Sequence, residues 1–300
     1  MNGDRTSVER LDDFNWSRPP GFPRRLDVRA TRITGPRDGL RIYAPQRALA
    51  RIRYKAGRSP LFRWRSVTCT APPSPVVDLI AASGIAADGV VAMRASSADR
   101  WIIGLESAGL LVAVAKCGPL HDVGLRHEAS ILQELRAAEP RIRLPELLFA
   151  GEASGQFAVI TRAAPPREGH ASLADIGEVT SRLTNGALGV PMVHGDLAHW
   201  NMIRADGRIW LLDWEQSRPE RRPLWDLADH LFREGVLVGT YTPRQLIGHL
   251  TERGSVGWNH LVAVDEDPSS ARQFLVDYLK SRPTLGKDAH RFDAGLRGIL

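Results

Sequence analysis

Three apolar runs follow one another between residues 90 and 116: VVAMRAS, RWIIGLES and LLVAVAK. Short polar breaks separate them, a pattern that predicts three consecutive strands. The period then changes. Over residues 124–138, GLRHEASILQELRAA, the side chains of Leu125, Leu132 and Leu135 share one face at helical spacing. Two more apolar runs, LPELLFAG and QFAVITRA, complete the sheet. Beyond them SLADIGEVTSRLTNG predicts one helix, and the chain from RRPLWDLADHLFRE through Phe274, Tyr278 and Leu300 reads as helices. Strands first and helices afterwards predict an α+β chain.

Between these blocks lies MVHGDLAHWNMIRADGRIWLLDWE, residues 192–215. Asp206-Gly207 is a favoured pair for a tight turn whose central positions both take positive φ. The flanks, 201–205 and 208–213, carry Ile203, Ile209, Leu211 and Leu212 and read as the two strands of a hairpin. A two-residue turn pairs Ala205 with Arg208 and therefore Asn201 with Leu212. Asn201 and Asp213 then lie side by side at the open end, where one cation can be held by both.

Two charged residues stand out against apolar surroundings. The chain has 36 Arg and 4 Lys, yet it keeps Lys116 at the end of LLVAVAK. Glu128 falls inside the apolar helical stripe, three residues after Leu125 and four before Leu132, whereas Glu134 lies off it. A carboxylate in an apolar stripe needs a buried cation, and Lys116 is the candidate. A snorkelling lysine beside an unpaired glutamate is the bland alternative, and it leaves both oddities unexplained.

His194, Asp196 and Asn201 follow the spacing H-x-D-x-x-x-x-N, with Asp213 beyond the hairpin. Phosphoryl transfer gives that spacing a mechanical reason: the Asp accepts a hydrogen bond from the attacking hydroxyl, and the Asn and second Asp hold magnesium at the nucleotide phosphates. HGDLAHWN followed by LLDWE resembles the aminoglycoside phosphotransferase and choline kinase-like family, relatives of the protein kinases. The resemblance covers residues 90–235 well, the C-terminus loosely and residues 1–75 hardly at all.

That resemblance implies a two-lobed protein-kinase-like fold, with a small antiparallel-sheet lobe and a mostly helical large lobe. It implies Asp196 as catalytic base, Asn201 and Asp213 as Mg2+ ligands, and Lys116 as the phosphate clamp supported by Glu128. His194 would orient the loop and Asp226 would buttress it. Ser96 and Ser97 would sit in the turn over the phosphates of ATP or GTP, although the turn Ser96–Asp99 lacks the glycines of a protein-kinase phosphate loop. Thr161–Ala164 would form the hinge, with Thr161 and Ala163 near the base.

Composition narrows the setting. The 300 residues are 43% hydrophobic and 25% charged, an ordinary soluble balance. No apolar run approaches the ~18 residues of a membrane span, and the first residues lack a signal-peptide pattern. Cys69 and Cys117 have no metal or redox spacing, so a reduced cytoplasmic protein is expected. Residues 1–75 hold 16 basic against 6 acidic residues, so the net charge of +6 belongs to the first quarter. Tyr43, Tyr54, Phe62 and Trp64 among those arginines fit an anionic surface or nucleic acid. The plainer reading is a solvated helix, Gln46–Lys55, which makes nucleic acid an unlikely partner.

The domain organisation expected is a basic extension over 1–88, a kinase-like N-lobe over 89–163 and a helical C-lobe with the catalytic hairpin over 164–300. The function expected is transfer of the γ-phosphate to a hydroxyl of a small molecule: a sugar, polyol, amino alcohol or aminoglycoside-like acceptor. Residues 164–300 hold 16 basic against 18 acidic groups, too balanced to single out a polycation. The alternative is a catalytically inactive kinase-like binding protein, motivated by the glycine-poor turn and the short stretch between hinge and His194.

Overall fold

Period-two burial organises the sheet. In strand β5 (Leu110–Gly118), Ala113, Ala115 and Cys117 are buried while Val112, Val114 and Lys116 are only partly so. Alternate side chains point to opposite faces, so Lys116 lies across the sheet from that apolar row. Ile103, Leu105, Ala158 and Ile160 from the neighbouring strands join the row to make the core of the sheet.

The computed structural model describes residues 26–33, 66–69, 81–82, 84–87, 89–95, 100–107, 110–135, 141–153, 155–165, 168, 171–282 and 286–300. The helix expected at Gln46–Lys55, the aromatics Tyr43, Tyr54, Phe62 and Trp64, and the turn holding Ser96 and Ser97 lie outside the described residues. The described residues form two compact units. The first runs through Gln133 and adds Pro145–Ala163; the second takes the described residues of 134–144 and 164–300.

In the first unit, β1 (Leu26–Ile33), β2 (Ser66–Cys69), β3 (Gly89–Ala95), β4 (Trp101–Ser107), β5, β7 (Leu147–Ala153) and β8 (Gln156–Arg162) make one sheet. Its order is β2-β1-β3-β4-β5-β8-β7. The five expected strands are its antiparallel part, β3-β4-β5-β8-β7. Two strands from the N-terminal segment extend it, and β1 runs parallel to β3. That parallel pair was not legible, because it joins strands separated by a long connection rather than a short turn. Helix α1 (Val123–Glu134) buries Leu125, Glu128, Ala129, Ile131 and Leu132.

The second unit begins with β6 (Ile142–Arg143), which pairs with β10 (Arg208–Leu211) of the β9–β10 hairpin; β9 is Met202–Ala205. Helix α2 (Leu173–Thr184) starts at a capping box, in which Ser172 and Asp175 satisfy each other's backbone N–H groups. Helix α3 (Trp225–Arg233) is buried on every side, although it carries Asp226, Asp229, His230 and Arg233. A π-helical turn, Glu234–Val238, follows directly. Helices α4 (Pro243–Thr251), α5 (Val256–Ala263), α6 (Ala271–Ser281) and α7 (Gly286–Arg297) complete the unit. Among the described residues no helix is long and apolar enough to cross a membrane. The chain is α+β: a sheet unit and a mostly helical unit.

Candidate active site

Buried charges need partners, and Asp226, His230 and Arg233 of α3 find theirs in one loop. Asp226 Oδ2 accepts from the His194 N–H at 2.8 Å and its Oδ1 from the Gly195 N–H at 2.9 Å. His230 Nδ1 donates to the Leu197 carbonyl at 2.9 Å. Arg233 Nη1 stands 2.8 Å from Asp196 Oδ1, and Glu234 Oε1 is hydrogen-bonded to His199 Nδ1. The spacing 226, 230, 233, 234 is one helical face. The loop 194–199 is therefore laid along a single polar stripe of a buried helix.

The loop itself demands glycine at one position. Gly195 has φ +79, and a Cβ there would lie 2.4 Å from the carbonyl oxygen of Gln216. His194 Nε2 donates to the Leu212 carbonyl at 3.0 Å, and its ring lies 4.7 Å from the fully buried ring of Trp214. His194 is thus a loop anchor with both ring nitrogens turned to backbone; Nδ1 faces the Asp196 N–H at 3.4 Å.

The hairpin has the register expected. Arg208 is opposite Ala205, Leu211 is opposite Met202, and the Leu212 N–H donates to the Asn201 carbonyl at 2.8 Å. Asp206 and Gly207 take φ of 53 and 67, as a tight primed turn requires. Asp213 also has positive φ, 66, so the strand ends as it reaches this residue. Asn201 Nδ2 donates to the Asp196 carbonyl at 2.9 Å, which fixes its amide and leaves Oδ1 as a ligand atom. A carboxylate and an amide oxygen are hard donors, and Asn201 with Asp213 suits magnesium.

Asp196 is the most telling group. Its Oδ1 is buried without an aligned hydrogen bond, for the contact with Arg233 is an ion pair of poor direction. Burial, with smaller contributions from Asp213 and Asp229, outweighs Arg233 and pushes its pKa up to about 6. Burial also pushes Asp226 up to about 7, against the two backbone N–H groups that favour its charge. Arg233 Nε donates to Asp229 Oδ2 at 2.6 Å, and Tyr278 Oη donates to Asp229 Oδ1 at 3.0 Å. Glu234 accepts at Oε2 from Thr240 Oγ1 at 3.0 Å. Burial opposes the charge of Glu234, but the bond and charge of His199, with His230 and Thr240, together outweigh it and hold the pKa low.

In the first unit Lys116 Nζ lies 2.9 Å and 2.8 Å from the two carboxylate oxygens of Glu128, whose side chain is 4% exposed. Glu134 is exposed, off the stripe. Thr161 is opposite Val114 in the β5–β8 ladder, and the Ala163 N–H donates to the Val112 carbonyl at 3.1 Å. The sheet already uses that amide, so a base at this hinge must bond to other backbone groups.

The structure thus brings His194, Asp196, Asn201 and Asp226 into one bonded cluster, places Asp213 just past the hairpin, and joins Lys116 to Glu128. The sequence reading found Asp226 but missed His230, Arg233, Glu234 and Asp229. Their signal was present: polar and charged residues at i, i+3, i+4, i+7 and i+8 from Asp226 in a stretch otherwise apolar.

Residues 172–233 match the model of the RIO domain, a span that contains α2, the loop, the hairpin and α3. A comparison with curated proteins gives no match. Among solved structures, WbdD with the kinase inhibitor LY294002 is 15% identical, with 65% of this chain and 48% of that chain covered and a TM-score of 0.39. The chain therefore spans about half the length of that WbdD chain. A thermostable mutant of aminoglycoside phosphotransferase APH(4)-Ia, in ternary complex with AMP-PNP and hygromycin B, is 16% identical, with 74% and 97% covered and a TM-score of 0.40. The kinase domain of PknI from Mycobacterium tuberculosis is 13% identical, with 67% and 99% covered and a TM-score of 0.35. The loop, hairpin and supporting helix, residues 172–233, are thus similar to a RIO domain.

Proposed function

We propose that the protein is a nucleotide-dependent phosphotransferase that moves the γ-phosphate of ATP or GTP to a hydroxyl of a small molecule. The observation that carries this reading is Asp196: a buried carboxylate oxygen without an aligned hydrogen bond, at a pKa of about 6, on a loop fixed by Asp226. A base poised near the working pH is what proton removal from a hydroxyl needs. Asp196 takes the hydroxyl proton as that oxygen bonds to the γ-phosphorus. The bond to the β-γ bridging oxygen breaks, and the nucleoside diphosphate leaves with that electron pair. Asn201 Oδ1 and the Asp213 carboxylate would hold Mg2+, which when bound offsets the charge of the phosphates. Lys116, oriented by Glu128, is assigned to the phosphates, together with the turn at Ser96 and Ser97.

The near-neutral charge of residues 164–300 supports a sugar, polyol or amino alcohol as acceptor. Two cysteines without redox spacing support a cytoplasmic setting. The ion pair between Arg233 and Asp196 favours a second reading, a kinase-like binding protein that transfers nothing, because it occupies the assigned base. Thermal stabilisation by ATP or GTP with magnesium, followed by transfer assays on hydroxylated acceptors, separates the two. Nucleotide binding with transfer to an acceptor supports the enzyme. Binding without hydrolysis or transfer to any acceptor leaves the binding protein.

A further inference from the structure

Helix α3 begins at a residue poorly suited to begin a helix. Its N-cap is Leu224, which has φ 63 in the left-handed region and makes no side-chain cap. That conformation is disfavoured for a residue with a side chain, and it persists only where the surroundings fix it. Here they do. The Leu224 side chain is buried, its carbonyl accepts from the Ala228 N–H at 2.8 Å, and its own N–H donates to His260 Nε2 at 3.1 Å.

His260 reaches Leu224 from helix α5 and is 2% exposed. Burial, with Arg221 adding to it, pushes the ring's pKa down to about 4, so the imidazole is neutral at neutral pH. A neutral imidazole carries one N–H. The backbone N–H of Leu224 can only donate, so Nε2 is bare and the proton is on Nδ1. Nδ1 meets two hydroxyls of α2, Ser181 Oγ at 2.9 Å and Thr180 Oγ1 at 3.2 Å. Both hydroxyls donate onward to the Gly177 carbonyl, so their oxygens accept from Nδ1. Gly177 also lets α2 and α5 meet closely: a Cβ there would lie 2.5 Å from Val256 Cγ2. A protonated ring would set an N–H against the Leu224 N–H.

Asp226 follows in the first turn of α3, and its carboxylate takes the His194 and Gly195 N–H groups. We infer that His260 is a positioning residue: as a neutral imidazole it fixes the left-handed turn at Leu224, and through that turn the carboxylate that holds the Asp196 loop. The contacts run from Ser181 through His260, Leu224 and Asp226 to Gly195, and none of them is with a reacting group. The effect on turnover rests on the phosphotransferase reading, whereas the effect on the loop does not.

The experiment is amide hydrogen exchange of the full chain, read residue by residue by NMR, in wild type, H260Q and H260N, beside a phosphate-transfer assay. Gln carries its amide to the position of Nε2 and can accept from Leu224, whereas Asn reaches only the position of Nδ1. H260Q should keep the wild-type protection of the Leu224, His194 and Gly195 amides. H260N should speed their exchange about tenfold or more. It should also lower kcat with the KM for nucleotide unchanged, and H260Q should restore kcat. Unchanged protection of these three amides in H260N would overturn the inference. Faster exchange spread evenly over the helical unit would overturn it too, because the role would then be one of packing alone. A proton on Nε2 of His260 in the nitrogen NMR spectrum of histidine-labelled wild type would do the same, and that measurement needs no variant to fold. Selective loss of protection in H260N, with no phosphate transfer by the wild type, would keep the inference and remove the enzyme reading. Normal transfer with unchanged protection would do the reverse.

Discussion

Arg233 stands between two acids: its Nη1 is 2.8 Å from Asp196 Oδ1, and its Nε donates to Asp229 Oδ2 at 2.6 Å. All three side chains are largely buried. Removing the cation leaves two carboxylates facing each other away from water. Arg233→Met should cost about 3–5 kcal/mol of stability. Chemical denaturation measures it, and Asp229→Leu in the same chain should recover part of the loss. A cost within the few tenths typical of surface changes would show that the triad does not hold the loop.

Asp196 and Asp213 should fail differently. Asp196→Asn removes the assigned base and leaves the metal ligands, so nucleotide binding with magnesium should persist while turnover falls by about 10²- to 10⁴-fold. Asp213→Asn should impair magnesium-dependent nucleotide binding as well as turnover. Calorimetric titration of both variants beside a phosphate-transfer assay reads the difference. Equal loss of nucleotide binding in the two would mean the base is misassigned.

The pH profile follows from burial. An ordinary aspartate loses its proton near pH 4, whereas Asp196 is pushed up to about 6. The base acts deprotonated, so kcat/KM should hold above pH 6 and fall with decreasing pH below it, approaching tenfold per unit. A limb at pH 4 would mean that substrate-free Asp196 is better solvated than its burial implies.

Gly195 carries a conformational demand. Its φ of +79 costs a side-chain-bearing residue about 1–2 kcal/mol, and the Gln216 carbonyl leaves no room for a methyl group. Gly195→Ala should lower the melting temperature and displace the Asp196 carboxylate, cutting turnover more than nucleotide affinity. Unchanged turnover would show that the loop can relax without moving Asp196.

Lys116 is tested by charge removal. Lys116→Ala should reduce kcat/KM for the nucleotide by about 10²-fold, the scale of losing one preorganised electrostatic contact. Its bidentate contact with Glu128 at 2.8–2.9 Å fixes the ammonium on one side. Thermal denaturation of the same variant separates a folding defect from a loss of nucleotide contact. Normal use of nucleotide would remove Lys116 from the site.

The local parts of this protein were legible because their signals repeat at fixed offsets. Apolar runs between polar breaks marked the five strands, the 3.6-residue period placed Glu128 among leucines, and Asp206-Gly207 set the hairpin register that puts Asn201 opposite Leu212. The pairing of Lys116 with Glu128 was also readable, since each made the other's environment tolerable. Contacts across long separations were not, apart from Asp226 under the loop, which came from the family resemblance. Asp196 and Arg233 are 37 residues apart, and β1 and β3 are joined by a long connection. Helical spacing places Asp226, His230, Arg233 and Glu234 on one face, but no periodicity says what that face will meet. Packing decided that it meets the loop 194–199, where backbone N–H groups, a carbonyl and the assigned base each took the partner left unsatisfied on the buried helix.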